Sequence, residues 1–144
     1  MNMGTYRFLE DVAIADAAFQ AEAESLEELF ELCAQAAFDV MADTKTIQPK
    51  CEEQVELAGE NLDELLFDWL AELIYLKDLK SMLFSRFDIE IQKKNGYTLK
   101  ASVWGEPADQ KKHRVRVDVK AVTYHLLEVK KENDKWAARV ILDT

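Results

Sequence analysis

Two stretches of this 144-residue chain hold side chains whose types could do chemistry: Val119-Lys120-Ala121-Val122-Thr123-Tyr124-His125 and the closing Ile141-Leu142-Asp143-Thr144. The first sets a lysine, a threonine, a tyrosine and a histidine in an otherwise apolar, β-rich run, where each polar group needs a partner or a task. In an unbroken strand Lys120, Val122 and Tyr124 share one face and Ala121, Thr123 and His125 the other, so these groups converge only if the backbone bends. The second stretch puts an aspartate beside the last residue. Carboxylate and main-chain oxygens gathered in one small volume are the donor set of a hard divalent cation. Only His113 and His125 are available as imidazole bases. No serine or cysteine forms a recognisable triad with either, and no glycine-rich phosphate loop occurs, so a conventional hydrolase or phosphoryl-transfer enzyme is poorly supported.

The elements that must position these residues follow from periodicity. From Asp16 to Glu24 the chain alternates, with Phe19, Ala21 and Ala23 on one side and Gln20, Glu22 and Glu24 on the other, which reads as a half-buried strand. Ser25 and Glu28 have capping-box spacing ahead of an amphipathic helix over about Leu26 to Met41. Asn61 and Glu64 repeat that arrangement before Leu62, Leu65, Leu66, Trp69, Leu70, Leu73 and Ile74, the broadest apolar stripe in the chain. Gln54 to Ala58 is a short strand. Phe87, Ile89 and Ile91 alternate with polar residues up to Asn95-Gly96, a two-residue turn signal, and Leu99, Ala101 and Val103 return. A second hairpin pairs roughly Val122–Lys130 with Trp136–Ile141 across Glu132-Asn133-Asp134. Gly105-Glu106-Pro107 reads as a chain reversal after Val103. The expected fold is α+β, a single domain over 1–144 with two main helices packed on a mixed or antiparallel β-sheet.

Composition narrows the function classes. Eighteen basic residues against 28 acidic ones give a net charge of −10, which opposes direct nucleic-acid binding through phosphates. The N-terminal residues lack a signal-peptide pattern, and no apolar run reaches the ~18 residues of a membrane span, so a soluble, cytoplasmic protein with no membrane contact is expected. Cys33 and Cys51 have no metal-knuckle or disulfide-framework spacing and read as reduced structural thiols. Glu27, Glu28 and Glu31 read as a solvated face that favours the first helix's early turns.

Four ordered blocks carry a resemblance: Ser25-Leu26-Glu27-Glu28-Leu29-Phe30, the helix Leu65 to Leu76, Val119 to His125 and the terminal Asp143. Together, from about Tyr6 to Thr144, they resemble the archease family of small acidic α+β proteins. The resemblance implies an accessory role: activating a GTP-dependent RNA-splicing ligase of the RtcB type by promoting its guanylylation and turnover in tRNA splicing and RNA repair. It also implies a cation site. The family's N-terminal block reads His-Thr-Ala-Asp, and here the matching stretch is Ala13-Ile14-Ala15-Asp16, which keeps the aspartate and loses the histidine and threonine. Asp16, Asp143 and Thr144 are therefore the expected metal ligands, with Asp11 a competing candidate if the block shifts; Glu106, in a turn like the family's glycine-glutamate turn, is the lesser alternative for an approach to the site. All-oxygen ligands select calcium, with magnesium possible, over zinc.

Rival readings stay open. Asp16 and Asp143 read equally as solvated strand-end residues, and His125 as a hydrogen-bonded core or edge histidine. Lys120 and His125 are otherwise expected to contact an acidic or nucleotide-bearing surface of the ligase. A different class is a general holdase-like chaperone with an Hsp33-like core, which needs a sizeable exposed apolar patch. A metal-dependent phosphoryl-transfer enzyme is the third.

Overall fold

Both helices are clamped between two antiparallel sheets, and the hydrophobic cluster runs without a break through all three layers. The computed structural model describes residues 4–9 and 17–144. In chain order the elements are β1 (Thr5–Phe8), β2 (Ala17–Ala23), α1 (Leu26–Met41), a 3-10 turn (Thr44–Thr46), β3 (Cys51–Gly59), α2 (Leu62–Lys80), β4 (Met82–Lys93), β5 (Tyr97–Pro107), the single-turn α3 (Gln110–His113), β6 (Ala121–Val122), β7 (Glu128–Glu132) and β8 (Lys135–Asp143). One sheet runs β1-β2-β8-β6 with β7 also paired to β8; the other runs β3-β5-β4. The α+β class holds, with the strands divided between two sheets.

Helix starts form where the capping residues stand. The Ser25 Oγ accepts from the Glu28 N–H at 3.1 Å, and the Asn61 Oδ1 from the Glu64 N–H at 2.9 Å. The α2 stripe faces the core as its spacing requires, with Leu65, Trp69 and Leu73 almost wholly buried. The Trp69 indole N–H donates to the Phe30 carbonyl at 3.1 Å, tying α2 to α1 through a buried polar contact. The α1 glutamates depart from a uniformly solvated face. Glu28 is buried and accepts from the Glu24 N–H, while the Glu27 carboxylate accepts from the Ile91 N–H of β4. Burial, with Asp88 and Glu28 nearby, pushes the Glu31 carboxyl above its ordinary range.

Three local expectations need correction. Lys93 pairs with Tyr97, so three residues rather than two connect β4 to β5, with Asn95 and Gly96 at positive φ. Gly105-Glu106-Pro107 is no reversal; it continues β5 alongside Leu83 and Phe84, where β4 carries an irregular register between Phe84 and Arg86. A Cβ on Gly105 would stand 1.9 Å from the Leu83 carbonyl oxygen, so the glycine answers to a close backbone approach. The run Val122–Lys130 is not one strand. It breaks after Val122, turns with Leu126 at positive φ and the Leu127 N–H on the Tyr124 carbonyl, and resumes as β7. The β7–β8 turn uses Asn133 and Asp134, both at positive φ, as their types favour.

Candidate functional site

The end of β8 is held from both sides. On one flank β2 pairs in the register Ala17↔Leu142, and on the other β6 pairs as Ala121↔Asp143 and Val122↔Leu142. Val119, Val122, Val140 and Leu142 are buried here and anchor the junction. Two main-chain N–H groups of the 119–125 motif and the Thr123 hydroxyl bind the main chain of β8. The Lys120 N–H donates to the Asp143 carbonyl at 2.8 Å, and the Thr123 N–H and Oγ1 both donate to the Ile141 carbonyl, at 3.1 and 3.0 Å. With Leu142 turned inward, alternation turns Asp143 outward, and its carboxylate meets no donor among the described residues. Thr144 follows, half-buried.

Asp16 and Asp11 lie outside the described residues, as does the whole stretch 10–16. The positions on either side are fixed: Leu9 N–H donates to the Ala18 carbonyl at 2.7 Å, and Ala17 stands opposite Leu142. Among the described residues no three His, Cys, Asp or Glu side chains gather as a metal-binding group.

The backbone bend separates the remaining motif residues. Lys120 and His125 are both exposed, and His125 is neither a core residue nor hydrogen-bonded to a described group, because the strand that would have buried it has ended. Lys120 faces a groove of about 250 Å³ between α2 and β6, whose walls include Phe67, Ala71, Tyr75 and Asp78. Tyr124 lies flat on Phe67, ring centroids 3.8 Å apart at 3°.

Sequence reasoning missed the residue that positions this edge. Lys77 of α2 is buried, and its Nζ donates to the Asp118 carboxylate at 2.5 Å and to the Val119 carbonyl at 2.9 Å, with Asp78 at 2.9 Å. One ammonium thus clips the segment leading into β6 onto the helix. The signal was available, since Lys77 falls four residues after Leu73 on the apolar stripe, where a lysine needs a buried acceptor.

A second polar cluster surrounds Glu106. Its Oε2 accepts from the Gln48 N–H at 2.8 Å and from His113 Nε2 at 2.9 Å, and its Oε1 accepts from Lys112 Nζ at 2.8 Å. The wholly buried His113 accepts the Asp109 N–H on Nδ1 at 2.9 Å, which selects the tautomer with its proton on Nε2. The Gln48 N–H, then Lys112 and His113, hold the Glu106 carboxyl down to about 2. Both oxygens of this carboxylate are hydrogen-bonded within the protein. It is a structural clasp across β5, α3 and the segment before β3, rather than a further ligand for the β8 end. Burial raises the Cys33 thiol, and Cys51 is exposed at the start of β3; both are free.

With this geometry in place, comparison with known proteins is informative. Residues 6–144 match the Archease protein family (MTH1598/TM1083). The protein archease of Methanothermobacter thermautotrophicus is 42% identical over 130 residues, which is 90% of this chain and 92% of the relative. The solution structure of Methanobacterium thermoautotrophicum protein 1598 superimposes with a TM-score of 0.85 at 39% identity, covering 96% of this chain and 98% of that one. The crystal structure of an archease, possible chaperone, from Thermotoga maritima shares the fold, with a TM-score of 0.56 at 22% identity, and covers 92% of this chain and 93% of that one.

Proposed function

The chain belongs to the archease family, and from that premise we propose that it is a non-enzymatic, cytoplasmic accessory protein that activates a GTP-dependent RNA-splicing ligase of the RtcB type. In this reading it binds calcium, or magnesium, at Asp16, Asp143 and Thr144 and promotes guanylylation and turnover of the ligase. The observation that carries it is the β2–β8 register. Ala17 stands opposite Leu142, so the residues bonded directly to that pair, Asp16 and Asp143, are the two carboxylates that flank it in sequence. The donor set fits a hard cation: Asp143 is exposed, its carboxylate meets no described donor, and neither cysteine nor either histidine lies in the β2–β8 pair. When bound, the cation supplies positive charge that cancels the repulsion of paired carboxylates. The protein's own contribution is positional. Lys120 N–H and the Thr123 donors lock the main chain of β8 so that Asp143 is presented rigidly at the sheet end.

Calorimetry with calcium and with magnesium, together with a ligase guanylylation assay, tests the proposal. Asp16→Ala and Asp143→Ala are each expected to abolish measurable cation binding and to lower stimulation by about tenfold or more. Undiminished stimulation by both variants would remove the cation from the mechanism.

A second reading, a holdase-like chaperone, draws support from exposed apolar side chains at Tyr75, Leu79 and Tyr124. Suppression of aggregation of unrelated clients, without any effect on the ligase, would favour it. No described helix is long and apolar enough to cross a membrane.

A further inference from the structure

The exposed apolar side chains are not scattered. Among the described residues seven large hydrophobic side chains are exposed, and five of them, Tyr75, Leu79, Val115, Val117 and Tyr124, lie along or beside the outer side of α2. Phe67, Ala71, Tyr75 and Leu79 recur every four residues and so form one stripe. Phe67, Ala71 and Tyr75 of that stripe border one groove, and a second lies beside it. The first, about 250 Å³, lies between α2 and β6, and the second, about 280 Å³, lies between the end of α2 and the segment carrying Val115 and Val117. Asp78 lines both, so the grooves are neighbours with a common wall. Phe67 and Ala71 still pack against the core from this side, but the core does not hold the other two rings: Tyr75 is 56% and Tyr124 62% exposed.

We infer that this double groove is the docking site for an apolar protein segment carrying a basic residue, and that the segment belongs to the ligase partner; the assignment of the partner rests on the proposed function above. Charge selects the occupant. Asp78 and Asp118, both largely exposed, share the single ammonium of buried Lys77, which leaves one uncompensated negative charge at the junction of the grooves. Lys120, at the first groove, is exposed and its side chain has no described partner, so an acid on the same segment completes the match. A second copy of this chain is a poor occupant, because each copy brings a net charge of −10. The groove shape suits an anchor-in-pocket contact, in which one or two buried side chains carry most of the affinity. The stacked Phe67–Tyr124 pair stiffens one wall, and the Lys77 clip fixes the other.

The test measures equilibrium binding of the full-length protein to purified ligase, beside the guanylylation assay. Ala71→Arg fills the first groove, and Tyr75→Arg removes an exposed ring where a fold defect is not expected; thermal midpoints are recorded for both. Each is expected to weaken binding by about tenfold or more, with stimulation recovered at saturating protein. Asp78→Asn, which leaves Asp118 on Lys77, is expected to weaken binding by about threefold to tenfold. Asp143→Ala is expected to keep its affinity while losing stimulation even at saturation, which separates docking from the cation's role. Unchanged affinity in Tyr75→Arg and Ala71→Arg, with wild-type protein binding the ligase, overturns the groove and leaves the ligase reading standing. Wild-type protein that does not bind the ligase overturns both. Equal binding of an unfolded client such as carboxymethylated α-lactalbumin, lost in the same variants, overturns the specific partner. A dimer that Ala71→Arg dissociates overturns it in favour of a second copy.

Discussion

Glu106, a carboxylate that sequence reading left ambiguous, accepts three hydrogen bonds within the protein. Glu106 could have been a cation ligand, yet it sits within 3 Å of a main-chain N–H, a lysine and a histidine, and its acid form is strongly disfavoured. Such a group links folding to pH in a definite direction. Its folded value, about 2, lies below the ordinary 4.5, so its stabilising contribution is complete above about pH 4.5 and is lost as the pH falls toward 2. Glu106→Gln keeps an acceptor for His113 and Gln48 but has no charge to lose. Urea titrations from pH 7 down to pH 2.5 are expected to show the variant less stable than wild type at pH 7, with the gap closing as the acid limb is descended. A constant gap across that range would mean that the ionised carboxylate is not what these donors favour. Asp143 differs in kind. It is exposed, and its carboxylate has no donor among the described residues.

Among the elements, β5 shows why some of the fold could be read in advance and some could not. Its alternation, its partner β4 and the Asn95-Gly96 turn signal are local properties, and they were legible, as were both helices and their caps. Its C-terminal end was misread because Gly105 and Pro107 look like a turn, whereas the glycine answers to the carbonyl of Leu83 on a neighbouring strand, a contact no local pattern encodes. Gly105→Ala is accordingly expected to cost about 3 kcal/mol, read as a lower midpoint in chemical denaturation; a variant as stable as wild type would show that β4 shifts freely there. The break between β6 and β7 was hidden for the same reason. The Thr123 hydroxyl and the Lys120 main-chain N–H both serve the main chain of β8, and the sequence alone could not say which strand lay beside them. Lys77 is the intermediate case, visible as a charge on an apolar stripe but without its acceptors until Asp118 and Val119 are placed.

For the whole molecule, charge and apolar surface have different consequences for association. The three layers bury both helices between sheets, so Tyr75 and Leu79, left outside on α2, belong to a surface that the core does not hold. A net charge of −10 spread over a chain of this size acts at a distance, whereas the grooves beside Tyr75 act only on contact. For the proposed ligase partner, long-range attraction of this acidic surface to a basic region would raise the encounter rate and be screened within about 8–10 Å at physiological salt, whereas apolar seating of an anchor would set the lifetime of the complex and not be screened. Rapid-mixing measurements should therefore separate the two. Raising salt from roughly 0.05 M to roughly 0.5 M is expected to slow association by about tenfold or more and to change dissociation little. Tyr75→Arg is expected to do the reverse in the main, accelerating dissociation, with a smaller loss in the association rate from the added positive charge. Salt-independent association would mean that the acidic surface has no part in recognition, and that the −10 charge serves only to keep copies of the chain apart.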